Sequence, residues 1–167
     1  MVIVFDHSFG KALENIDFIQ HQEFIVYDLE EVRTHHNSCE LLENYGNLKW
    51  EIIEILNKTY GTNFNLLNWL NNEDDEVAHF INETGSNALS YSEFKMPSKF
   101  HLWFGRIGFI IGIEQLGKGF NAETVHNLRL KQNEGKAFDF FRKCKSIVFF
   151  DDKKEARIVY LNFLFSN

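Results

Sequence analysis

Apolar residues change rhythm along this chain near Pro97, its only proline. Upstream they recur at helical spacing. In NSCELLENYGNLKWEIIEILNKTYG, residues Leu41, Leu42, Tyr45, Leu48, Ile52, Ile55 and Leu56 share one side of a 3.6-residue period. Ser38 is placed to cap the start of that helix, and Gly61 falls just past its end. FNLLNWL predicts a short helix or turn. NNEDDEVAHFINETG predicts a further helix ending before Gly85, with Glu73, Asp74 and Asp75 in its first turn, where the helix dipole favours negative charge. Two compact apolar runs, Val2–Phe5 and Glu23–Leu29, predict strands on either side of the mixed stretch GKALENIDFIQHQ, which is left without an element.

Downstream the apolar runs lengthen and become rich in β-branched and aromatic residues. KFHLWFGRIGFIIGIEQL predicts one long strand, or two joined at a glycine. NAETVHNLRL predicts a helix capped by Asn121, and EGKAFDFFRKC a short one. SIVFFDDKKEARIVYLNFLF predicts a hairpin about the polar turn DDKKE, with Asp151 there for its bonds to local backbone. No internal repeat or linker interrupts the chain. The expectation is one α+β domain over residues 1–167, helices mainly in the first half and an antiparallel sheet ending in the C-terminal hairpin.

Composition adds a rigid core and a charge preference. The 167 residues are 44% hydrophobic and include 18 Phe but only 2 Met, so the interior is filled by rings and aliphatic groups. Charge is 17 − 24 = −7 with His neutral. That field disfavours nucleic acid and anionic membranes and favours a basic partner. Cys39 and Cys144 show no disulfide framework and read as free thiols in a reducing compartment. MVIVFDHSFG lacks the basic region and cleavage site of a secretory leader. LWFGRIGFIIGI carries Arg106 and is shorter than the ~20 residues of a membrane span. A cytoplasmic protein, monomeric when free, is expected.

Several tempting chemistries fail on their residues. GIEQLGKG has the G-x-x-x-x-G-K spacing of a phosphate-binding loop, but Glu114 would oppose phosphate and Gly119 stands where a magnesium-binding hydroxyl is needed. Too little chain follows for the parallel strand–helix units such a domain requires. VIVFDHS ends a strand in Asp6, yet Ser8 replaces the second aspartate of phosphotransferases that use one as nucleophile. His35, His36 and Cys39 in THHNSCE offer part of a zinc set, without a second spaced pair. The basic strip GKAFDFFRKCKS reads as a helix face. No cofactor and no catalytic residue is therefore expected. The strongest feature is the acidic run Asn71–Glu76. It reads either as a solvated helix start or as a docking patch for a cationic surface, in which Glu73, Asp74, Asp75 and Glu76 supply charge and Trp69 and Tyr91 supply aromatic anchors.

From residue 117 to 165 the order of pieces, with GFNAE opening a helix, FDFF in a short one and a strand hairpin to close, resembles the tails of small bacterial immunity proteins of contact-dependent growth inhibition systems. The resemblance implies a cytoplasmic, non-enzymatic protein that binds one cognate toxin domain, often a nuclease, and neutralises it. An acidic chain without a catalytic set leads to the same expectation: the carboxylates stand in for phosphates on the toxin's basic surface. Two alternatives stay open. One is a small enzyme using Asp6, His7 or Cys144 in a polar pocket; the other is a phage or mobile-element protein that binds a host protein.

Overall fold

The long apolar runs of the second half build the centre of the protein. The computed structural model describes residues 3–26, 28, 30, 39–71, 74–86, 97–132 and 145–166. In chain order these form α1 (Phe9–Ile16), β1 (Phe18–Ile25), α2 (Cys39–Tyr60), a 3₁₀ turn (Leu66–Trp69), α3 (Glu76–Ser86), β2 (Pro97–Gly105), β3 (Gly108–Gln115), α4 (Ala122–Gln132), β4 (Ile147–Phe150) and β5 (Ile158–Leu164). The strands make one sheet in the order β1-β2-β3-β5-β4, antiparallel throughout. The expected α+β fold, helices mainly in the first half and a C-terminal hairpin, is what the chain forms.

Each strand sends alternate residues to opposite faces, and two separate clusters result. Phe100, Leu102, Phe104, Phe109, Ile111, Ile113, Val159 and Leu161 pack with Ile52, Ile53 and Leu56 of α2 and Val77, Phe80 and Ile81 of α3. Trp103, Ile110, Phe149 and Tyr160 point the other way, onto Ala12 and Ile16 of α1. Phe80, Phe100 and Phe109 are fully buried, and each such ring contributes roughly 1.5–3 kcal/mol of transfer free energy. With both faces covered, β2 and β3 are buried along nearly their whole length.

Local rules account for most boundaries. Asn121 caps α4 by accepting from the Thr124 N–H at 2.8 Å, and Gly61 ends α2 with φ 65°. Asp151 Oδ1 accepts from the N–H groups of Arg157 and Ile158, as a turn aspartate does. GIEQLGKG is the end of β3 and the turn toward α4. The long apolar run resolves into two strands joined at Arg106 and Ile107.

Four expectations are corrected. The unassigned stretch holds α1, whose C-terminus lies against β2 so closely that a Cβ on Gly105 would meet the Ile16 carbonyl oxygen at 1.9 Å. The early strand begins at Phe18, not Glu23, and among its residues only Phe24 is buried. The strand expected at Val2–Phe5 is, among the described residues, a single parallel bridge from Ile3 to Val148. On α2, Leu42 is exposed while Ile53 is buried. Ser38 and the short helix expected in EGKAFDFFRKC lie outside the described residues. Among the described residues no helix is long and apolar enough to cross a membrane.

Candidate functional site

The acidic run divides its labour. Asp75 is buried ahead of α3: its Oδ1 accepts from the Ala78 N–H at 2.9 Å, and its Oδ2 from the Asn65 N–H and the Asn68 amide, both at 2.9 Å. It is a helix cap that also ties the 3₁₀ turn to α3, outside the helix whose first turn it was expected to join. Glu76 reaches across to β4, accepting from the Ser146 hydroxyl at 2.5 Å, the Ser146 N–H at 3.2 Å and the Lys145 N–H. Asp74 alone of the described acids here is exposed. It lines, with Phe64, Phe163 and Phe165, a groove of about 460 Å³. Glu73 and Tyr91 lie outside the described residues.

Trp69 is half-buried, its indole N–H donating to Glu83 Oε1 at 2.6 Å. It lines a second groove, about 380 Å³, together with Trp50, Leu67, Leu70 and Glu43. Three of these apolar side chains face solvent: Trp50 is 47% exposed, Leu67 50% and Leu70 66%.

A different constellation stands on the α1 side of the sheet. Pairing of β1 with β2 sets Glu23 opposite His101 and His21 opposite Trp103. On β3, Glu114 sits opposite Lys99, diagonal to His101 on the same face. His101 Nε2 lies 2.6 Å from Glu114 Oε2, His21 Nε2 3.0 Å from His101 Nδ1, and Glu23 Oε1 3.7 Å from His101 Nδ1. The Glu114 carboxylate accepts, so His101 donates from Nε2 and its Nδ1 is left as an acceptor facing His21. Trp103 stacks on both rings, 4.5 Å from His21 and 5.2 Å from His101. Gly112 makes this possible, because a Cβ there would lie 2.8 Å from the Trp103 ring.

Electrostatics follow the contacts. The hydrogen bond from His101 holds the Glu114 carboxyl below the ordinary carboxylate value, against the opposing effect of burial. Partial burial, then the neighbouring His101, lowers the His21 pKa, with Glu23 opposing. Both groups are thus set toward the deprotonated form at neutral pH.

The other sequence candidates are placed apart. Asp6 pairs with Lys153 at 2.8 Å, and His7 packs edge-on against Phe149 at 4.8 Å. Burial, then Lys11, lowers the His7 pKa. Cys39 is an exposed free thiol; His35, His36 and Cys144 lie outside the described residues. The histidine cluster escaped sequence reasoning because its members come from three strands. The one local hint is the spacing of His21 and Glu23, two apart and so on one face of a strand. No known protein family, curated protein or solved structure matches this chain.

Proposed function

We propose that this protein is a stoichiometric inhibitor of the immunity type, which binds one cognate bacterial toxin domain in the cytoplasm and blocks its active site. The observation that carries the reading is the solvent-facing rim of Trp50, Leu67 and Leu70 around the groove lined by Trp69, on a chain of net charge −7. Contiguous exposed apolar surface marks interaction sites on soluble proteins, and tryptophans at the centre of such patches dominate binding energy. Exposed Glu43 lines it, and exposed Asp74 lines the other groove; both suit a basic partner surface, as on a nuclease whose substrate is a polyanion. The resemblance of residues 117–165 to immunity proteins supports the same reading.

The hydrogen-bonded chain His21–His101–Glu114 favours a second reading, a small enzyme that moves protons along it. Neither groove described above includes a member of that chain. Stoichiometry separates the two readings. Titrated into its cognate toxin domain, sought by pull-down from the native host, the inhibitor abolishes toxicity at one equivalent, whereas an enzyme acts well below it. Trp50→Ala and Trp69→Ala each weaken the complex by about 30-fold, ~2 kcal/mol, and Asp74→Lys slows association. Asp75 is unsuitable for this test because it holds α3. Absence of a one-to-one complex with that domain overturns the inhibitor reading.

A further inference from the structure

The histidine cluster is independent of the rim and has its own chemistry. We propose that His21, Glu23 and His101 form a binding site for a late first-row divalent cation of the zinc class, with Glu114 as the positioning carboxylate behind His101. One ligand atom from each of the three residues lies within 4.8 Å of the others, and His21 Nε2 and His101 Nδ1 stand 3.0 Å apart. Two nitrogens each about 2.0–2.1 Å from a tetrahedral zinc are separated by ~3.4 Å, so a shift of a few tenths of an ångström admits the ion between them. The Glu23 side chain is 47% exposed and completes the set by rotation.

Three observations favour a cation over a purely structural hydrogen bond. First, His101 gives its Nε2–H to Glu114 at 2.6 Å, the arrangement by which a carboxylate fixes the tautomer of a metal-bound imidazole and raises its basicity. His101 is buried at 5% exposure, so its Nδ1 is held in place, facing the opening between His21 and Glu23. Second, Trp103 stacks on both imidazoles, whose planes differ by only 17°, and so restrains both donors. Third, Glu23 and Glu114 bring two carboxylates to the two imidazoles, offset in part by Lys99, which lies 3.9 Å from Glu23 and with Arg157 acts on Glu114. Two imidazoles among three ligands select zinc, cobalt, nickel or copper over magnesium or calcium. Because His21 and Glu23 stand exposed on edge strand β1, the fourth position opens to solvent. On binding, the His21 proton moves from Nε2 to Nδ1; a protonated imidazole cannot take the ion, so its uptake weakens as pH falls.

The test is a titration of the metal-free full-length chain with Zn²⁺, followed by calorimetry, and with Co²⁺, followed by its visible absorption and by quenching of Trp103 emission. One equivalent binds the parent protein and quenches Trp103. His21→Ala and Glu23→Gln are changes at exposed positions that leave the fold, and so its circular dichroism, intact. Each weakens zinc binding by at least the ~10–100-fold that loss of an outer-shell partner causes, and Glu114→Gln weakens it within that range. The proposal is overturned if the His21→Ala/Glu23→Gln double variant binds zinc as tightly as the parent. It is equally overturned if replacing His35, His36 and Cys39 together, with His21 and Glu23 untouched, removes the same equivalent.

Discussion

On the side of the sheet turned to α2 and α3, the central inward residues of β2 and β3 are apolar and sealed: Phe100, Leu102 and Phe104 on one strand, Phe109, Ile111 and Ile113 on the next. On the other side the same two strands set Trp103 and Ile110 beside His101, Gly112 and Glu114. The difference lies in the cover. The 22-residue α2, together with α3, closes the first side, whereas α1 has eight residues and lies over Trp103, Ile110, Phe149 and Tyr160. Beyond it His21 and Glu23 remain in water, and there the buried His101 is tolerated because both its ring nitrogens have partners, His21 and Glu114. One side of the sheet supplies stability; the other has room for chemistry.

Truncation on the sealed side should have the largest effect. Phe109→Ala removes a fully buried ring and lowers the free energy of unfolding by about 3–5 kcal/mol, read from the denaturant midpoint. A loss below about 1 kcal/mol would mean that α2 and α3 do not close this side. On the other side the sharper probe is an added atom. Gly112→Ala drives a methyl group into Trp103 and Tyr160, costs about 1–3 kcal/mol and shifts Trp103 emission. A neutral outcome would show that the tryptophan does not lie over β3.

The smallest effect is the pH dependence, and it belongs to the histidine side alone. His21 and Glu114 both have folded-state pKa values below their ordinary 6.5 and 4.5, so the folded chain binds fewer protons than the unfolded one. Their contribution to stability is fully present above about pH 6.5. It declines first through His21 as pH falls below that value, then through Glu114 below about 4.5. Glu114→Gln flattens the lower limb, and His21→Ala the upper one, in denaturation midpoints measured across the acid range. An unchanged profile in both variants would separate the cluster from the stability of the sheet.

Much of the architecture was readable because it obeys rules acting over a few residues. The apolar period of α2, Asn121 as the cap of α4, Asp151 in the hairpin turn and the departure of GIEQLGKG from a phosphate loop need nothing beyond neighbours in the chain. Both α1 and β1 were harder to read. The apolar spacing of α1, Phe9, Ala12, Leu13 and Ile16, spans only two turns and is followed after one residue by β1, and an edge strand with one buried residue shows no alternation. The acids of residues 71–76 were read as one patch, yet Asp75 and Glu76 hold α3 and β4 through partners up to 70 positions away.

Sequence alone thus determined the α+β class, the order of most elements, the aromatic core and the acidic balance, since composition and local periodicity carry these directly. Only the tertiary structure decided which acids face solvent, that the tryptophan rim stands open, and that His21, Glu23, His101 and Glu114 converge. Residues 21 and 101 are 80 apart in the chain and meet because β1 pairs with β2 in one register; a slip by one residue would turn them to opposite faces.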